Sequence, residues 1–481
     1  MAITGARPEA GPQSAAASWT EATRLLCMAA YTDATFAQDV LEELVEEEHR
    51  AIHVPPGVDV APVVRHCCAA HDRKMLRDRL LALDVVLSIV LTAIMGGLWL
   101  VIGFAVAWVV VACDFCTARY GIAGKGLGRN AFDPAAAPEP DAAALARVEE
   151  LAGRQGGNVT VYSGFLPFAG AGIDLGGWSF VVDLRKGREA AERRLTPKPV
   201  RPSDLYEGVE HALRDLRMEN LTIEDRAYVN GTDVRGDPVL LPAITGPPTT
   251  SIGEAQMQSL VHGSTRRIRH YMCARVTDWG GELVLSLFVR FGVANGRLFC
   301  ERSGFLLPSL KPELQRGDGV APELELLDVL RLAWRSLLAT PVLSLRSLWV
   351  VLRPLGRHRR RARLLKRIKR DAFFDYGAGE NVLDRVRSTD YARYFQKLDT
   401  EKYTKVLERA ILDAIVEVLD AHDVETGELV ERRTTIINNG VMVRGESLKV
   451  DNLAVGQGAR ILNRIAGRGR PAGPGADGGK A

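Results

Sequence analysis

The length, composition and charge of the chain limit the classes of protein to which it can belong. A chain of 481 residues with 47% hydrophobic content is too long for one ordinary domain, and it is apolar enough to bury several cores. Its formal net charge is only +3, so no overall basicity indicates nucleic acid. We therefore expect two or three folded units, with any electrostatic partner attracted by a local run of charges.

The cysteines argue against a disulfide framework. Their number, seven, is odd, and they are scattered along the chain, which is typical of a reducing compartment. Cys113 and Cys116 form a CxxC, but no second pair accompanies it, so packing is preferred to a zinc or redox site. The sequence predicts no metal and no cofactor.

The N-terminal region is predicted to be a tail followed by a helical unit. Residues 1–18 are small and polar and lack the apolar core of a signal peptide, so we expect a disordered tail. Residues 19–80 carry apolar side chains at helical spacing, and their last helix is expected to continue into the next segment. Glu46 and His49 have the spacing of a di-iron ligand pair, but matching carboxylates on other helices are missing, which favours a solvated acidic face.

An uncharged apolar run is the strongest signal in the chain. Residues 85–113 contain no charge, and we predict a transmembrane segment with the boundaries 81–116. As one helix the run would be about 43 Å long, beyond a hydrocarbon core of about 30 Å, whereas Gly96 and Gly97 could form the tip of a hairpin with short limbs. Lysines and arginines flank both ends, which favours a hairpin with both ends in the cytoplasm over a single span.

A linker is predicted at 117–157, and an α+β domain on the cytoplasmic side at 158–325. A glycine-rich loop at 164–177 lies between two predicted strands. It lacks the spacing of a phosphate-binding fingerprint, so a loop that bends or packs closely is preferred to a phosphate site. Residues 267–305 predict a β-meander with Asn295-Gly296 as one turn. Its middle strand places five apolar residues on one face, namely Leu283, Leu285, Leu287, Val289 and Phe291.

Residues 326–370 are predicted to be an interfacial, basic helical segment. Arg335 and Arg346 interrupt its apolar part, so that part cannot span a membrane comfortably. Ten lysines and arginines follow beside Trp349, a composition that favours attraction to anionic lipid headgroups. A solvated helix is the main alternative, and nucleic acid is a less favoured one. The predicted membrane-surface residues are Trp349, Arg353, Arg357, Arg359, Arg360, Arg361, Arg363, Lys366, Arg367, Lys369 and Arg370.

The C-terminal part is predicted to contain an amphipathic helix and a short β motif. The helix lies within 371–425 and needs a packing partner. Turn signals and short alternating strands at 426–463 predict β rungs, which either stack between copies in a homo-oligomer or fold back on their own chain. Residues 464–481 form a Gly/Pro-rich tail that we expect to be disordered. The predicted assembly residues are Asn438, Asn439, Gly440, Gly445, Val455, Gly456, Gln457 and Gly458.

Four stretches carry a resemblance to a known family. They are TRLLCMAAYTDATFAQDVLEELVEEEHRA, VYSGFLPFAGAGIDLGGWSFVVDL, FFDYGAGENVLDRVRSTDYARYFQKLDTEKYTKVLERAILDAIVEVLD and TTIINNGVMVRGESLKVDNLAVGQGAR. Through them the chain resembles a family of uncharacterised actinobacterial membrane proteins over most of its length. The resemblance implies a bacterial cytoplasmic membrane location, and it transfers no catalytic residues because no activity is attached to the family.

The sequence favours a membrane-anchored scaffold or signalling protein whose cytoplasmic modules bind lipid or protein partners. A membrane-tethered enzyme using residues 158–308 is one alternative, but no Ser/His/Asp order, metal cluster or P-loop is recognisable. A small channel or transport subunit is another, and it would need oligomerisation because Ser88 and Thr92 are the only hydroxyls of the apolar run. The predicted fold class is α+β, with a membrane segment between a helical N-terminal unit and the α+β domain.

Overall fold

The computed structural model describes residues 20–438, without 34, 169, 191–192, 264–266, 316–325, 353–356 and 380–381. The α-helices are α1 Thr20–Thr32, α2 Phe36–Val40, α3 Val60–Met95, α4 Leu98–Cys116, α5 Ala142–Gln155, α6 Pro202–Asp215, α7 Glu254–His262, α8 Pro312–Gln315, α9 Leu326–Leu352, α10 Arg357–Arg370, α11 Val382–Arg385, α12 Tyr394–Ala421 and α13 Gly427–Asn438. The strands are β1 Val159–Tyr162, β2 Ile173–Asp183, β3 Glu189–Ala190, β4 Arg193–Arg194, β5 Leu221–Asn230, β6 Ile268–Asp278, β7 Leu283–Ala294 and β8 Arg297–Leu307.

Six strands form one mixed sheet in the order β1-β5-β6-β7-β8-β2. β1 pairs with β5 in parallel, and the other neighbouring strands are antiparallel. The predicted meander is β6-β7-β8. Asn295 and Gly296 form its second turn with φ angles of 53° and 71°, because the two-residue turn that suits the twist of a hairpin requires positive φ at both positions. The α+β class predicted from the sequence is confirmed.

One face of the sheet is covered by α6 and α12. The five alternating apolar residues of β7 all lie in this core, where they pack with Leu205 and Val209 of α6 and with Leu407 and Ile411 of α12. The spacing of apolar side chains along the two helices matches one face of an α-helix, which is why both dock on the sheet. The amphipathic stripe predicted in the segment 371–425 therefore belongs to the same core as the strands.

A buried ion pair joins the sheet to α12. Arg302 of β8 lies 3.1 Å from Glu408, and the side chains are 0% and 4% exposed. Arg302 also donates a hydrogen bond of 3.1 Å to the carbonyl of Gly176 in β2. Burial raises the pKa of Glu408, and the guanidinium of Arg302 opposes this effect. Removing either partner would leave a buried charge without compensation.

The glycine-rich loop covers the opposite face of the sheet. Phe168 stacks on Phe288 with ring centroids 4.2 Å apart, and it meets Tyr228 and Tyr271 edge-on at 5.1 Å. Gly170 has a φ of 74°, and a Cβ built there would lie 1.9 Å from a ring carbon of His53. The glycines thus let the loop bend and approach its neighbours closely.

The edge of the sheet at β1 is closed by a short segment that precedes α11. Asp375 accepts hydrogen bonds from Ser163 Oγ at 2.6 Å and from the backbone of Gly377 at 2.8 Å. The backbone of Ala378 donates to the carbonyl of Val161 at 2.9 Å. A Cβ at Gly377 would lie 2.3 Å from the carbonyl of Tyr162, so glycine is required for this contact. The contact protects the strand edge from pairing with other chains.

The N-terminal unit packs around the first half of α3. Val60, Val63 and Val64 are buried with residues of α1, and Leu151 of α5 completes this core. Where the sequence predicts a linker at 117–157, the structure has a π-helix Thr117–Gly126, a 3-10 helix Pro134–Ala136 and α5. The small apolar residues that indicate a linker are those that let these short helices pack closely, as Ala123 does at 0% exposure.

The predicted β rungs begin within a helix. Residues up to Asn438 belong to α13, which docks on α12 through Arg433 and Asp413 at 2.7 Å. Arg432 pairs with Glu428 one turn earlier at 2.5 Å, and such pairs support helix rather than strand. The rung prediction is therefore wrong for residues 427–438. The other predicted assembly residues, from Asn439 to Gly458, lie outside the described residues.

The aromatic cluster under the glycine-rich loop yields a stability prediction. Phe168→Ala should lower the free energy of unfolding by about 3–5 kcal/mol, because a buried ring is lost and a cavity remains. Phe165 lies in the same loop but is 95% exposed, so Phe165→Ala is the matched control and should change little. Thermal unfolding of the detergent-solubilised protein measures both. Equal melting temperatures for the two variants would contradict the packing role of Phe168.

Candidate membrane-contacting site

α3 and α4 form an antiparallel hairpin that reverses at Gly96 and Gly97. Gly96 has a φ of 101°, which disfavours other residues. The limbs approach closely at Gly103, where a Cβ would lie 1.9 Å from Ser88 Oγ. Small residues at helix contacts are typical of membrane helices. Of the two geometries that the sequence leaves open, the structure has the hairpin.

The outer surface of the hairpin is apolar. Among the described residues, Leu98–Gly126 is the one helix long and apolar enough to cross a membrane, and only 22% of its apolar window is buried in the protein. The 19 residues of α4 measure about 28 Å, close to the thickness of a hydrocarbon core. Large apolar side chains exposed on the hairpin are Leu83, Val86, Leu87, Ile89, Val90, Ile94, Leu98, Leu100, Val101, Phe104, Val106 and Val109.

A cluster of charges joins the two limbs at the base of the hairpin, and we call it the base clamp. It consists of Arg73, Arg77 and Asp78 on α3 and Asp114 on α4. Asp114 lies 3.1 Å from Arg77 and 3.4 Å from Arg73, and Arg77 lies 2.6 Å from Asp78. Their side chains are 7–19% exposed. At this burial the charges interact more strongly than in water, and each is compensated by a partner.

The helix α9 packs on both limbs of the hairpin. The indole Nε1 of Trp108 donates to Ser336 Oγ at 2.9 Å, and Ala339 and Leu343 pack against the cluster formed by Leu81 and Val111. The fully buried hydroxyl residues of α9, Ser336, Thr340 and Ser347, donate to carbonyls within the helix at 2.6–2.8 Å. α9 therefore presents small and hydroxyl side chains to the hairpin.

The opposite side of α9 is apolar and exposed. Its residues recur every three or four positions, which places them on one helical face. Trp349, predicted to contact the membrane surface, is 79% exposed on this face. The other exposed members are Leu327, Leu330, Trp334, Leu338, Val342 and Leu345.

The chain before and after α9 packs into one body. Leu314, which precedes α9, is buried in the core of the N-terminal unit. Ile368 and Tyr376, which follow it, are buried against Val229 of the sheet. Both flanks of α9 are therefore buried in the same packed part of the protein, and the expectation that its arginines prevent a comfortable span stays a prediction.

The basic run that follows forms the separate helix α10. Ile368 and Leu364 pack in the core that contains Val229 of β5, whereas the charged side chains are exposed. Arg361 forms an ion pair with Glu48, and the exposed cations without an ion pair to the described residues are Arg363, Lys366, Arg367, Lys369 and Arg370. Arg357, Arg359 and Arg360 belong to α10, and Arg353 lies outside the described residues. The predicted interfacial segment is thus two helices with different surfaces.

The sequence did not predict the base clamp or the packing of α9 on the hairpin. The charges at the ends of the apolar run mark its boundaries, but their pairing depends on the hairpin geometry. The arginines of α9 argue against a span, yet they give no hint that the helix packs on the hairpin. A useful signal was present in the regular spacing of Trp334, Leu338 and Leu345 along one face.

The comparison with known protein families identifies the part of the chain that contains α9 and α10. The AbeC-like domain matches residues 177–451, which is more than half of the sequence. This chain belongs to the AbeC-like family. No curated protein and no solved structure matches it. The match supports the uncharacterised family implied by the resemblance, while actinobacterial origin and membrane location remain predictions.

The AbeC-like domain does not coincide with the structural units. Its match begins inside β2 and includes α9, α10 and α12, but it leaves out β1, which completes the sheet. The hairpin α3–α4 also lies outside the match, although α9 packs on it. The AbeC-like part of this chain therefore depends on N-terminal residues for its packing.

The base clamp yields a second stability prediction. Asp114→Asn should destabilise the protein by about 3–5 kcal/mol, because Arg73 and Arg77 lose their shared carboxylate while they stay largely buried. Asp72→Asn removes the same charge from an exposed site on α3 and should have little effect. Thermal unfolding in detergent, followed by the accessibility of Cys113, measures the change. A clamp without structural importance would give the two variants the same melting temperature.

Proposed function

We propose that this AbeC-like protein is a membrane-anchored interaction protein. In this proposal the hairpin α3–α4 is embedded in the bilayer, α9 lies in the membrane interface, and α10 turns its basic face to anionic headgroups. The observation that carries the proposal is the outward apolar surface shared by three helices that pack on one another. The soluble body is then held at the membrane, where it binds lipid or protein partners.

The size of the apolar surface supports embedding in lipid. Soluble monomers rarely expose a contiguous apolar patch larger than a few hundred Å². Here both limbs of the hairpin and one full face of α9 are exposed, and α9 contacts both limbs. Moving a single large apolar side chain out of water is worth about 1.5–3 kcal/mol, so even a part of this surface provides strong membrane attachment.

Electrostatics supports the orientation of the membrane-bound protein. The base clamp is surrounded by cations on α3, and α10 adds five exposed cations without ion pairs to described residues. Each lysine or arginine near an anionic surface contributes about 1 kcal/mol. Basic flanks prefer the cytoplasm, so we place the soluble body there and the hairpin tip toward the opposite leaflet.

The orientation of the hairpin can be tested by cysteine labelling. We expect Gly97→Cys to react with an impermeant thiol reagent in intact cells and Gln258→Cys to react only after the cells are opened. A Cβ at Gly97 meets nothing within 4 Å, and Gln258 is exposed on α7. Cys113 and Cys116 are first replaced by alanine, since the remaining native cysteines are buried. Labelling of Gln258→Cys in intact cells would show that the protein has the opposite orientation.

The contact of α10 with headgroups can be tested in nanodiscs. Anionic lipid should slow amide hydrogen exchange in residues 357–370 of the full-length protein relative to neutral lipid, and added salt should remove the difference. Lys366→Gln with Lys369→Gln should weaken the effect. Lys402→Gln with Lys405→Gln removes the same charge from α12 and should leave it unchanged. Equal exchange in both lipids would reject the electrostatic contact.

A further inference from the structure

A large cavity lies between the N-terminal unit, the base of the hairpin and α9. Its volume is about 840 Å³, which is in the range of small-molecule binding sites. Tyr31 and Gln38 line it from the N-terminal unit, and the base clamp lines it from the hairpin. One face of α9 closes it, from Asp328 to Val350. Because of these walls, the cavity adjoins the place where the hairpin leaves the soluble body.

The cavity contains cations that the protein itself does not neutralise. Within the described part of the chain, Arg119, Arg335 and Arg346 make no ion pair and no hydrogen bond, although all three line the cavity. The lining holds seven lysines and arginines against six acidic residues, which are Asp33, Glu42, Glu46, Asp78, Asp114 and Asp328. Asp78 and Asp114 belong to the base clamp, and Asp328 lies 3.6 Å from Arg331. Asp33 accepts a hydrogen bond from the backbone of Thr35 at 2.8 Å, and Glu42 accepts one from Gln38 at 2.8 Å. The available charge of the cavity is therefore positive.

Lys74 reports the same positive surroundings. Its ammonium donates a hydrogen bond of 3.1 Å to the carbonyl of Asp33. Burial lowers the pKa of Lys74, and the neighbouring guanidinium groups of Arg73 and Arg77 lower it further, while Asp33 and Asp114 oppose them. An anion in the cavity would relieve this repulsion.

The other part of the lining is apolar. Phe115 extends from the end of α4, and Leu332, Val342 and Leu343 extend from α9. Val342 is 67% exposed, so this wall is open to the surroundings rather than closed by the protein. A ligand that fills the cavity must combine an anionic group with a hydrocarbon part.

We propose that the cavity binds one anionic phospholipid, with its phosphate among the cationic side chains and one acyl chain along the apolar wall of α9. This inference rests on the proposed function, because it takes the lipid from the bilayer in which the hairpin is embedded. The cavity is separate from the basic face of α10. The lipid completes the packing between α9 and the hairpin and couples the soluble body to the membrane composition.

Lipid retention by the full-length protein tests the proposal. The protein is reconstituted in nanodiscs with equal amounts of phosphatidylglycerol and phosphatidylcholine, extracted in mild detergent, and analysed by native mass spectrometry. We expect about one phosphatidylglycerol per chain to be retained, with at least about tenfold preference over phosphatidylcholine. Equal retention of the two lipids, or none of either, would overturn the proposal.

Variants locate the headgroup and separate this site from α10. Arg335 and Arg346 are about 16 Å apart along α9, so one headgroup contacts only one of them. One of the two variants, Arg335→Gln or Arg346→Gln, should therefore reduce phosphatidylglycerol retention about tenfold, and the other should leave it unchanged. Lys366→Gln with Lys369→Gln should not reduce it, even if it abolishes the lipid response of α10. Normal retention in both arginine variants, or equal loss in the α10 variant, would contradict the site.

Two further arms distinguish a lipid from a free phosphate. Val342→Trp fills the apolar wall without changing charge, and it should reduce phosphatidylglycerol retention. Inorganic phosphate and glycerol phosphate should raise the melting temperature less than phosphatidylglycerol at the same concentration. If either soluble anion stabilises the protein as much as the lipid and Val342→Trp has no effect, the ligand is a free phosphate and the lipid assignment fails.

Discussion

The carboxylate of Asp114 between Arg73 and Arg77 is the constraint on which the arrangement of the hairpin, α1 and α9 depends. It fixes the end of α4 to α3 at the base of the hairpin, so the two limbs are held together there. Arg73 also lies over the ring of Tyr31 at 5.7 Å, which extends the connection to α1. Because these charges are nearly buried, they must stay close to one another to remain compensated. The hairpin, α1 and the surface on which α9 packs are therefore positioned together.

The sheet and the N-terminal unit impose a second constraint, which concerns how the chain enters and leaves α9. The segments on both sides of α9 are buried in cores that share contacts with the sheet and the N-terminal unit. Arg387 strengthens this connection by donating hydrogen bonds of 3.1 Å to the carbonyls of Gly281 and Pro308. Both flanks of α9 are therefore held by the same packed part of the described structure. α9 itself packs along both limbs of the hairpin and leaves its apolar face exposed.

Local sequence patterns predicted the elements that local interactions stabilise. They did not predict strand pairings, ion pairs or cavities that are formed by residues distant in sequence. The alternation in β7 and the Asn295-Gly296 turn give the meander because side-chain period and turn geometry act within a few residues. The uncharged run gives the hairpin segment for the same reason. By contrast, β5 has no clear alternation, and its pairing with both β1 and β6 comes from the sheet. The pairs Arg302–Glu408 and Arg77–Asp114, and the cavity beside α9, arise from residues that are distant in sequence, so no spacing rule reaches them.

Buried and exposed ionisable side chains have different roles in this structure. Burial lowers the pKa of His66 to about 4, and its Nδ1 lies 3.1 Å from the hydroxyl of Tyr31. Burial alone explains this shift, and the ring is enclosed by α1 and α3, as expected for a core histidine. The cations of the cavity differ, because Arg119, Arg335 and Arg346 are exposed and line the same cavity. Guanidinium groups present several hydrogen-bond donors in a planar fork that matches phosphate, so they suit attraction of an anion. Charged side chains suited to holding an anion thus lie where the hairpin, α9 and the N-terminal unit meet.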